Sequence, residues 1–511
     1  MTLSTSARTA DPVTVRIRAF WTIVITSWLL VVAGYAAAVA PSVSRGGPVG
    51  VAFVVFGVGA AVLWFSGARS LAMWATRAWW TDRAARAIAD STARVALVLC
   101  TADDFDPEPL ARSARQSHPV DVVVLDDSVS GRAQRRVDAY AAATGARVLR
   151  RTGRRGYKAG NLNAGLRRIH AEYDYVVVLD SDEELPPGFV RQALELFAAD
   201  PSIGVVQGRH RARGGETAFA RLFAGLFETH VSVTQAARAT AGFSMFMGRG
   251  AMISTACLRA TGGIPEVVTE DVAFSVEARA AGYRIVYAPE LVSTEDYPVD
   301  YAAFRTQHRK LVEGATELVI GRGRRMLRAD MPLRERVDVF IETSLVPLSA
   351  LAGVVLLVAG VVLATYSEYP PAWAATLVGV SVAAPLLPET ARRVRGEGLI
   401  HGAVFLAAGL ALYGSTMVLT LRATGVVLAG RPAVFQVTPK ERSRTGWQGA
   451  LRGARAEFGV AAGGIAVGLF LTGTIAPVMP LLVPAIAGPA LAIMETRASR
   501  AARRPELARV V

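Results

Sequence analysis

The chain has 511 residues, 52% of them hydrophobic, a formal charge of +14 and only two cysteines. That apolar share is above the usual range for a soluble enzyme and points to membrane segments. Cys100 and Cys257 give no disulfide framework and fit thiols facing a reducing compartment. The positive charge does not imply nucleic acid, because the arginines cluster beside apolar runs. Arg8, Arg16 and Arg18 precede the first run, and Arg69, Arg77, Arg83 and Arg86 follow the second. Arg497, Arg500, Arg503 and Arg504 follow the last. This is the positive-inside pattern of a membrane protein. No aromatic-interleaved basic motif or zinc spacing accompanies it, so no nucleic-acid partner is expected.

In chain order, residues 1–90 read as a transmembrane hairpin and linker. Residues 19–40 are uncharged and, at about 1.5 Å per residue, long enough to cross a bilayer core. A second span, 48–66, follows without a clear cleavage site between them, so a retained anchor is expected rather than a removed signal.

Residues 91–330 change character. Short apolar runs at 95–99, 120–125, 147–149, 175–179 and 204–207 alternate with helical patterns. The pattern predicts an α/β domain with a largely parallel sheet. No Gly-x-Gly-x-x-Gly follows a strand and no Gly-x-x-x-x-Gly-Lys-Ser/Thr loop occurs, which argues against a dinucleotide-dependent dehydrogenase and an ATP-driven pump. Residues 216–230 predict an amphipathic helix with Phe219, Leu222, Phe223, Leu226 and Phe227 on one stripe. Two readings of that stripe stand: packing on the domain's own core, or lying at a bilayer interface.

Residues 331–422 return to the membrane with apolar stretches at 343–366, 372–388 and 400–421. A polar, basic segment, 423–456, separates them from 457–511, a hairpin interrupted by Pro477 and Pro480 with a basic tail. If the α/β domain and the basic segment share the cytoplasm, an even number of spans separates them. The stretch 400–421, which carries His401, Tyr413, Ser415, Thr416 and Thr420, is therefore expected to be interfacial, leaving six true spans.

Acidic and polar motifs punctuate the α/β domain. The run Val176-Val177-Val178-Leu179 ends in Asp180-Ser181-Asp182. Carboxylates beyond a buried strand fall where ligands bind in open α/β sheets, and an i, i+2 pair can aim oxygens at one divalent cation. Taken alone, the motif reads more readily as a solvated acidic turn. Other strand candidates end in Thr101-Ala102-Asp103-Asp104 and in Leu125-Asp126-Asp127-Ser128. Lys158-Ala159-Gly160-Asn161-Leu162-Asn163 opens a helix, as does Glu270-Asp271, with Thr269 placed to cap it. Gln307-His308-Arg309-Lys310 lies on a further helix.

This ordered set resembles the membrane-integrated inverting glycosyltransferases of family 2, the group of cellulose, hyaluronan, chitin and curdlan synthases. The likeness runs from about Val95 to Lys440 and ends in Phe435-Gln436-Val437-Thr438-Pro439-Lys440, which matches the gating loop of cellulose synthases. The resemblance implies a GT-A, nucleotide-diphospho-sugar transferase-like domain joined to an α-helical transmembrane bundle in the inner cell membrane, with the catalytic domain cytoplasmic. It implies a UDP-sugar donor, a growing glycan acceptor translocated through the bilayer, and Mg²⁺ or Mn²⁺ held by Asp180 and Asp182. Asp271 takes the role of general base, with Glu270 beside it in the substrate site. Asp104 and Asp127 match nucleoside-binding positions, and Lys158 and Lys440 match cations near the phosphates. Gln307, Arg309 and Lys310 correspond to a Gln-x-x-Arg-Trp motif at the acceptor and diphosphate end, and Phe435, Val437 and Thr438 belong to the gating loop. Glucose is the expected sugar. An accessory subunit is left open by the sequence.

The chain departs from the family pattern on the acceptor side. Lys310 and Leu311 replace Arg-Trp, Phe246-Met247-Gly248 replaces Phe-Cys-Gly, and Gln207-Gly208-Arg209-His210 replaces Gln-Thr-Pro-Gln. A lysine lacks the bidentate fork of arginine, and Leu311 offers no flat face to a sugar. These departures keep a second reading alive, a non-processive transferase acting on a lipid acceptor.

Overall fold

The computed structural model describes residues 12–77, 85–88, 92–214, 217–434 and 447–492. The gating-loop candidates Phe435, Val437, Thr438 and Lys440 lie outside the described residues.

The middle of the chain folds on a seven-stranded sheet: β1 (Val95–Thr101), β2 (Asp121–Asp126), β3 (Arg147–Leu149), β4 (Tyr175–Asp180), β5 (Ile203–Ala212), β6 (Ala251–Ser254) and β7 (Arg284–Glu295), in the order β3-β2-β1-β4-β6-β5-β7. Strands β3, β2, β1 and β4 run parallel. The short β6 enters antiparallel to both β4 and β5, and β7 then pairs parallel with β5. The sheet is thus largely parallel, as the sequence predicts, with β6 as the antiparallel strand that makes it mixed. Successive residues of β1 serve opposite faces: Val95, Leu97 and Leu99 join one core with Phe189, Val190 and Leu194, while Ala96 and Val98 join the other with Leu162, Leu166 and Phe274. Burial on both faces is what a continuous apolar strand requires.

The amphipathic helix runs from Ala218 to Ala241, longer than its apolar stripe predicts, with Thr217 Oγ1 accepting from the Ala220 amide as its N-cap. Its stripe belongs to neither core of the sheet. Phe219, Phe223 and Leu226 pack against Tyr297, Tyr301 and Phe304 of the same domain and against Leu386, Phe405, Leu412 and Leu491 from the apolar helices. The stripe is the joint between the sheet domain and the long apolar helices.

Among the described residues six helices are long and apolar enough to cross a bilayer: Arg16–Ser44, Gly47–Thr76, Leu333–Thr365, Ala372–Glu397, Leu399–Leu428 and Arg455–Thr472. The first four meet around Tyr35, Phe56, Trp64, Leu363 and Ala374. By length and composition Leu399–Leu428, the stretch expected to be interfacial, is one of the six, while Ala476–Ala492 is shorter. The Leu399–Leu428 helix is interrupted at Ser415 and Thr416. Ser415 Oγ there accepts a hydrogen bond from the Tyr301 hydroxyl at 2.9 Å. One turn on, Thr420 Oγ1 lies 2.8 Å from His308 Nε2. Polar groups of the two halves therefore meet across the joint.

Candidate active site

Parallel strands end on one edge of a sheet, so the loops after β1, β2 and β4 are neighbours. Cys100 lies in register with both Leu125 and Asp180, and Thr101 with Asp126. Asp104 knots two of these loops together. Its Oδ1 accepts from Thr101 Oγ1 and the Ala102 amide, each at 2.9 Å, and its Oδ2 accepts from Ser181 Oγ at 2.8 Å. The Asp127 amide donates to the Thr101 carbonyl. The Asp127 carboxylate is gripped by Arg151, whose Nε and Nη2 approach it at 2.9 and 2.6 Å.

Lys158 crosses the edge of the sheet from the first turn of the Tyr157–Ile169 helix. Its ammonium donates to Asp180 Oδ1 at 2.5 Å and to the Gly248 carbonyl at 3.0 Å. Burial alone would raise the Asp180 pKa, but Lys158 and Arg249, the latter 3.8 Å away, overcome this and leave it lowered. Asp180 is therefore an ionised carboxylate. Asp182 is half-buried, and its carbonyl accepts from Arg213 Nη2 at 2.5 Å.

Glu270 and Asp271 open the Glu270–Ala280 helix. Thr269 does not cap it as expected; its hydroxyl donates instead to the Gly314 carbonyl at 3.3 Å. Burial raises the pKa of Glu270, with the Asp271 charge adding to it and Lys158 and Lys310 opposing. Burial also raises that of Asp271, against the Val272 amide, Lys158, Arg249 and Lys310. A carboxylate held partly against its charge is a stronger proton acceptor when it ionises. Gly248, with φ of +81°, lies against this pair: a Cβ there would be 3.7 Å from Asp271 Cβ and 3.8 Å from Glu270 Oε1. The backbone angle is what favours glycine here, since a Cβ would sit at ordinary contact distance.

On the Tyr301–Arg328 helix Gly314 packs on Val268 and Thr269, and Lys310, one turn earlier, faces Glu270 and Asp180. Burial lowers its pKa while those carboxylates raise it. Successive helical residues are about 100° apart, so Arg309 and Leu311 are carried away from that face. Arg309 is exposed and its Nε donates to Glu313 at 2.6 Å, and Leu311 is 50% exposed. Gln307 is half-buried on the same helix. The structure thus gathers Asp104, Asp127, Lys158, Asp180, Asp182, Glu270, Asp271 and Lys310 around one edge of the sheet and turns Arg309 outward.

Several residues here escape sequence reasoning. Arg249 forms a two-pronged pair with Glu295, one arm at 2.7 Å, while facing Asp180. Behind it lie Glu183 and His210, both fully buried, with His210 Nδ1 3.4 Å from Glu295 and 3.7 Å from Glu183. Burial and the nearby Glu295 charge push the Glu183 carboxyl up to about 8. Gln207 pins the loop after the amphipathic helix by accepting from the Met247 amide at 2.8 Å and donating to the Arg249 carbonyl at 3.1 Å. Glu183 belongs to the carboxylate run that begins at Asp180, and Gln207 and His210 lie in a motif the sequence singles out; Arg249 and Glu295 lie in none.

Among the described residues no three or more His, Cys, Asp or Glu side chains converge as a complete metal cage. Two ionisable carboxylates at Asp180 and Asp182 fit a different design, in which a small hard cation takes one or two carboxylates and completes its shell with substrate phosphate and water.

Residues 175–387 match the family model described as glycosyl transferase family group 2. Glucomannan 4-beta-mannosyltransferase 2 of Arabidopsis thaliana is 28% identical over 206 residues, 39% of this chain and 39% of that protein. Glucomannan 4-beta-mannosyltransferase 7 of the same plant is 27% identical over 184 residues, 35% of this chain and 33% of that protein. The chain therefore spans about two fifths or less of the curated relatives it matches. The mannosyltransferase PcManGT from Pyrobaculum calidifontis, solved in complex with GDP-Man and Mn²⁺, superposes with a TM-score of 0.50 and 23% identity over 70% of this chain and 98% of that one, a likeness of fold. With the mixed sheet, the acidic strand ends and the apolar helices, these matches make residues 175–387 similar to glycosyl transferase family group 2, and the chain similar over part of its length to the glucomannan mannosyltransferases, on a GT-A-like fold.

Proposed function

We propose that the protein is an inverting, membrane-integrated glycosyltransferase that lengthens a β-linked polysaccharide from a nucleoside-diphosphate sugar. The observation that carries this reading is Lys158, whose ammonium joins Asp180 to the Gly248 carbonyl beside the Glu270–Asp271 pair. One cation thereby links the place for a leaving diphosphate to the place for an attacking hydroxyl.

In this reading an Asp271 carboxylate oxygen removes the proton from an acceptor hydroxyl. The hydroxyl oxygen forms its bond to the anomeric carbon from the face opposite the diphosphate. The anomeric carbon–oxygen bond to the diphosphate breaks and its electron pair leaves with the nucleotide, inverting the configuration. Lys158, Arg249 and Lys310 supply positive charge where negative charge develops. Asp104 and Asp127 orient the nucleoside, Asp127 in a position fixed by Arg151. Asp180 and Asp182 would hold Mg²⁺ or Mn²⁺, which when bound neutralises charge on the diphosphate. EDTA is expected to abolish transfer, with activity restored by either cation. Asp182→Asn should raise the metal concentration needed for half-maximal rate by at least about tenfold, since one of two protein ligands is lost. An unchanged metal requirement in that variant would remove Asp182 from the site.

The mannosyltransferase relatives make mannose as strong a candidate as glucose, and hence GDP-mannose beside UDP-glucose as donor. The cytoplasmic face, the inner membrane and translocation of the product through the protein's own helices complete the reading. Leu311, exposed where the family pattern has a stacking tryptophan, favours the second one, single transfer to a lipid acceptor. Membranes bearing the protein, given radiolabelled UDP-glucose and GDP-mannose in parallel, distinguish them. A long polymer cut by a β-mannanase or a β-glucanase is the expected result and names the sugar. A lipid carrying one sugar would replace it with the second reading. Nucleotide binding with no release of UDP or GDP would refute both.

Lys158→Met is a narrower test. It keeps the length of the stem and removes a charge-assisted contact between a largely buried ammonium and a half-buried carboxylate, at a cost of about 1.5–3 kcal/mol. Transfer should fall by roughly 10- to 100-fold with weakened nucleotide affinity. Full activity in this variant would leave the proposal without its central contact.

A further inference from the structure

The loop over the carboxylate pair, residues 242–250, begins where the amphipathic helix ends, and the first three membrane helices hold that point. From Arg16–Ser44, Trp21 Nε1 donates to the Ala241 carbonyl at 3.0 Å. From Leu333–Thr365, Asp338 Oδ2 accepts from the Phe243 amide at 2.9 Å and from Arg238 Nε at 2.8 Å. From Gly47–Thr76, Arg69 donates to the other oxygen of Asp338 at 2.6 Å and to Glu342 at 2.8 Å. Asp338 and Arg238 are each 1% exposed, and Phe243 is fully buried. Gly242 is pressed so closely on this carboxylate that a Cβ would lie 2.4 Å from Asp338 Oδ2.

From this anchor the loop runs toward the chemistry through successive backbone contacts. The Met245 carbonyl accepts from Gln235, the Phe246 amide donates to Ser275 and the Met247 amide to Gln207. The Gly248 carbonyl then accepts from Lys158. A carboxylate that only paired two arginines would need neither the Phe243 amide nor a glycine pressed on it. We infer that Asp338 is a positioning residue, which fixes the acceptor-side loop through the Gly242–Phe243 backbone and so makes the geometry at Asp271 depend on how the first three membrane helices pack. This inference rests on the glycosyltransferase reading for its catalytic consequence and on the backbone contact alone for its structural one.

The test pairs Asp338→Asn with Gly242→Ala and their double variant in the full-length protein in detergent or nanodiscs. Two readouts are taken: sugar transfer, and hydrogen–deuterium exchange of peptides covering 242–250. Removing a carboxylate from buried arginines endangers folding; Gly242→Ala removes no charge, pushing the Asp338 carboxylate aside instead, and keeps the test open if Asp338→Asn does not fold. Each single variant is expected to raise exchange in 242–250 and to lower kcat by roughly 10- to 100-fold, as a displacement of about 1 Å at a reacting centre does. UDP or GDP affinity should stay within about twofold. The double variant should be no slower than the slower single one, because both act on the same backbone. Where Asp338→Asn does not fold, Gly242→Ala alone decides by the same exchange and rate criteria. Wild-type exchange and kcat in the single variants, or losses that multiply in the double, would overturn the inference. A wild-type protein that transfers no sugar would instead refute the glycosyltransferase reading, and exchange would still decide whether Asp338 holds the loop.

Discussion

Asp271→Asn is expected to lower sugar transfer by about 10²–10⁴-fold, the usual contribution of a general base, while UDP or GDP binding stays within about twofold of wild type. The amide keeps the shape of the side chain, and its oxygen can still accept from the Val272 amide, as Asp271 Oδ1 does at 2.8 Å. Local structure should therefore survive, and only the capacity to take a proton is lost. The pH profile provides a second check. Burial raises the Asp271 pKa, so the fraction in the basic form, and the rate with it, should fall as pH drops through that raised value. The Asn variant should lose this acidic limb. Glu270→Gln is the control, since burial raises Glu270 as well. If the Gln variant lost transfer and the Asn variant kept it, the base would be Glu270. Loss of nucleotide binding in Asp271→Asn would move the residue from the acceptor's proton to the donor's placement.

What the sequence made legible follows from the range of each signal. The acidic ends of β1, β2 and β4 are local: a valine-rich run stops and carboxylates begin. The parallel α/β pattern then brings those ends to one edge. Lys158 reads as clearly, because its helix starts at the motif. The pairing of Arg249 with Glu295 and the grip of Gln207 on Met247 join residues far apart in the chain, and no spacing announces them. Strand β6 has four residues, too few for a period to emerge, and β7 carries Pro289 and Glu290 in mid-strand, beside an irregularity in its register with β5. That is why the mixed character of the sheet stayed hidden. On the Tyr301–Arg328 helix the motif marks the right turn, but a one-residue step decides which side chain faces the site. Lys310 does, and Arg309 does not, because the close packing of Gly314 on Thr269 sets the rotation of the helix.

Phe219→Ala is expected to cost about 3–5 kcal/mol, the range for a fully buried phenylalanine, and to lower Tm in detergent by roughly 10 °C. Its ring is fully buried, 6.0 Å from Phe304 and 6.4 Å from both Phe223 and Tyr301. Two functions meet in that contact. Across the joint lie Phe405 and Leu412 of the apolar helices. Within the domain, Tyr301 and Phe304 form the start of the helix that presents Lys310. A cavity there lets the sheet domain shift against the membrane helices and lets Lys310 move relative to Glu270, so transfer should fall together with stability. Leu222→Ala, on the same stripe but only half-buried, should cost markedly less. A helix lying against lipid predicts little loss of stability in either variant, since a truncated side chain facing acyl chains leaves no cavity in the protein. Equal Tm for wild type and Phe219→Ala would therefore return the stripe to the bilayer surface and remove the joint as the link between membrane packing and the catalytic edge.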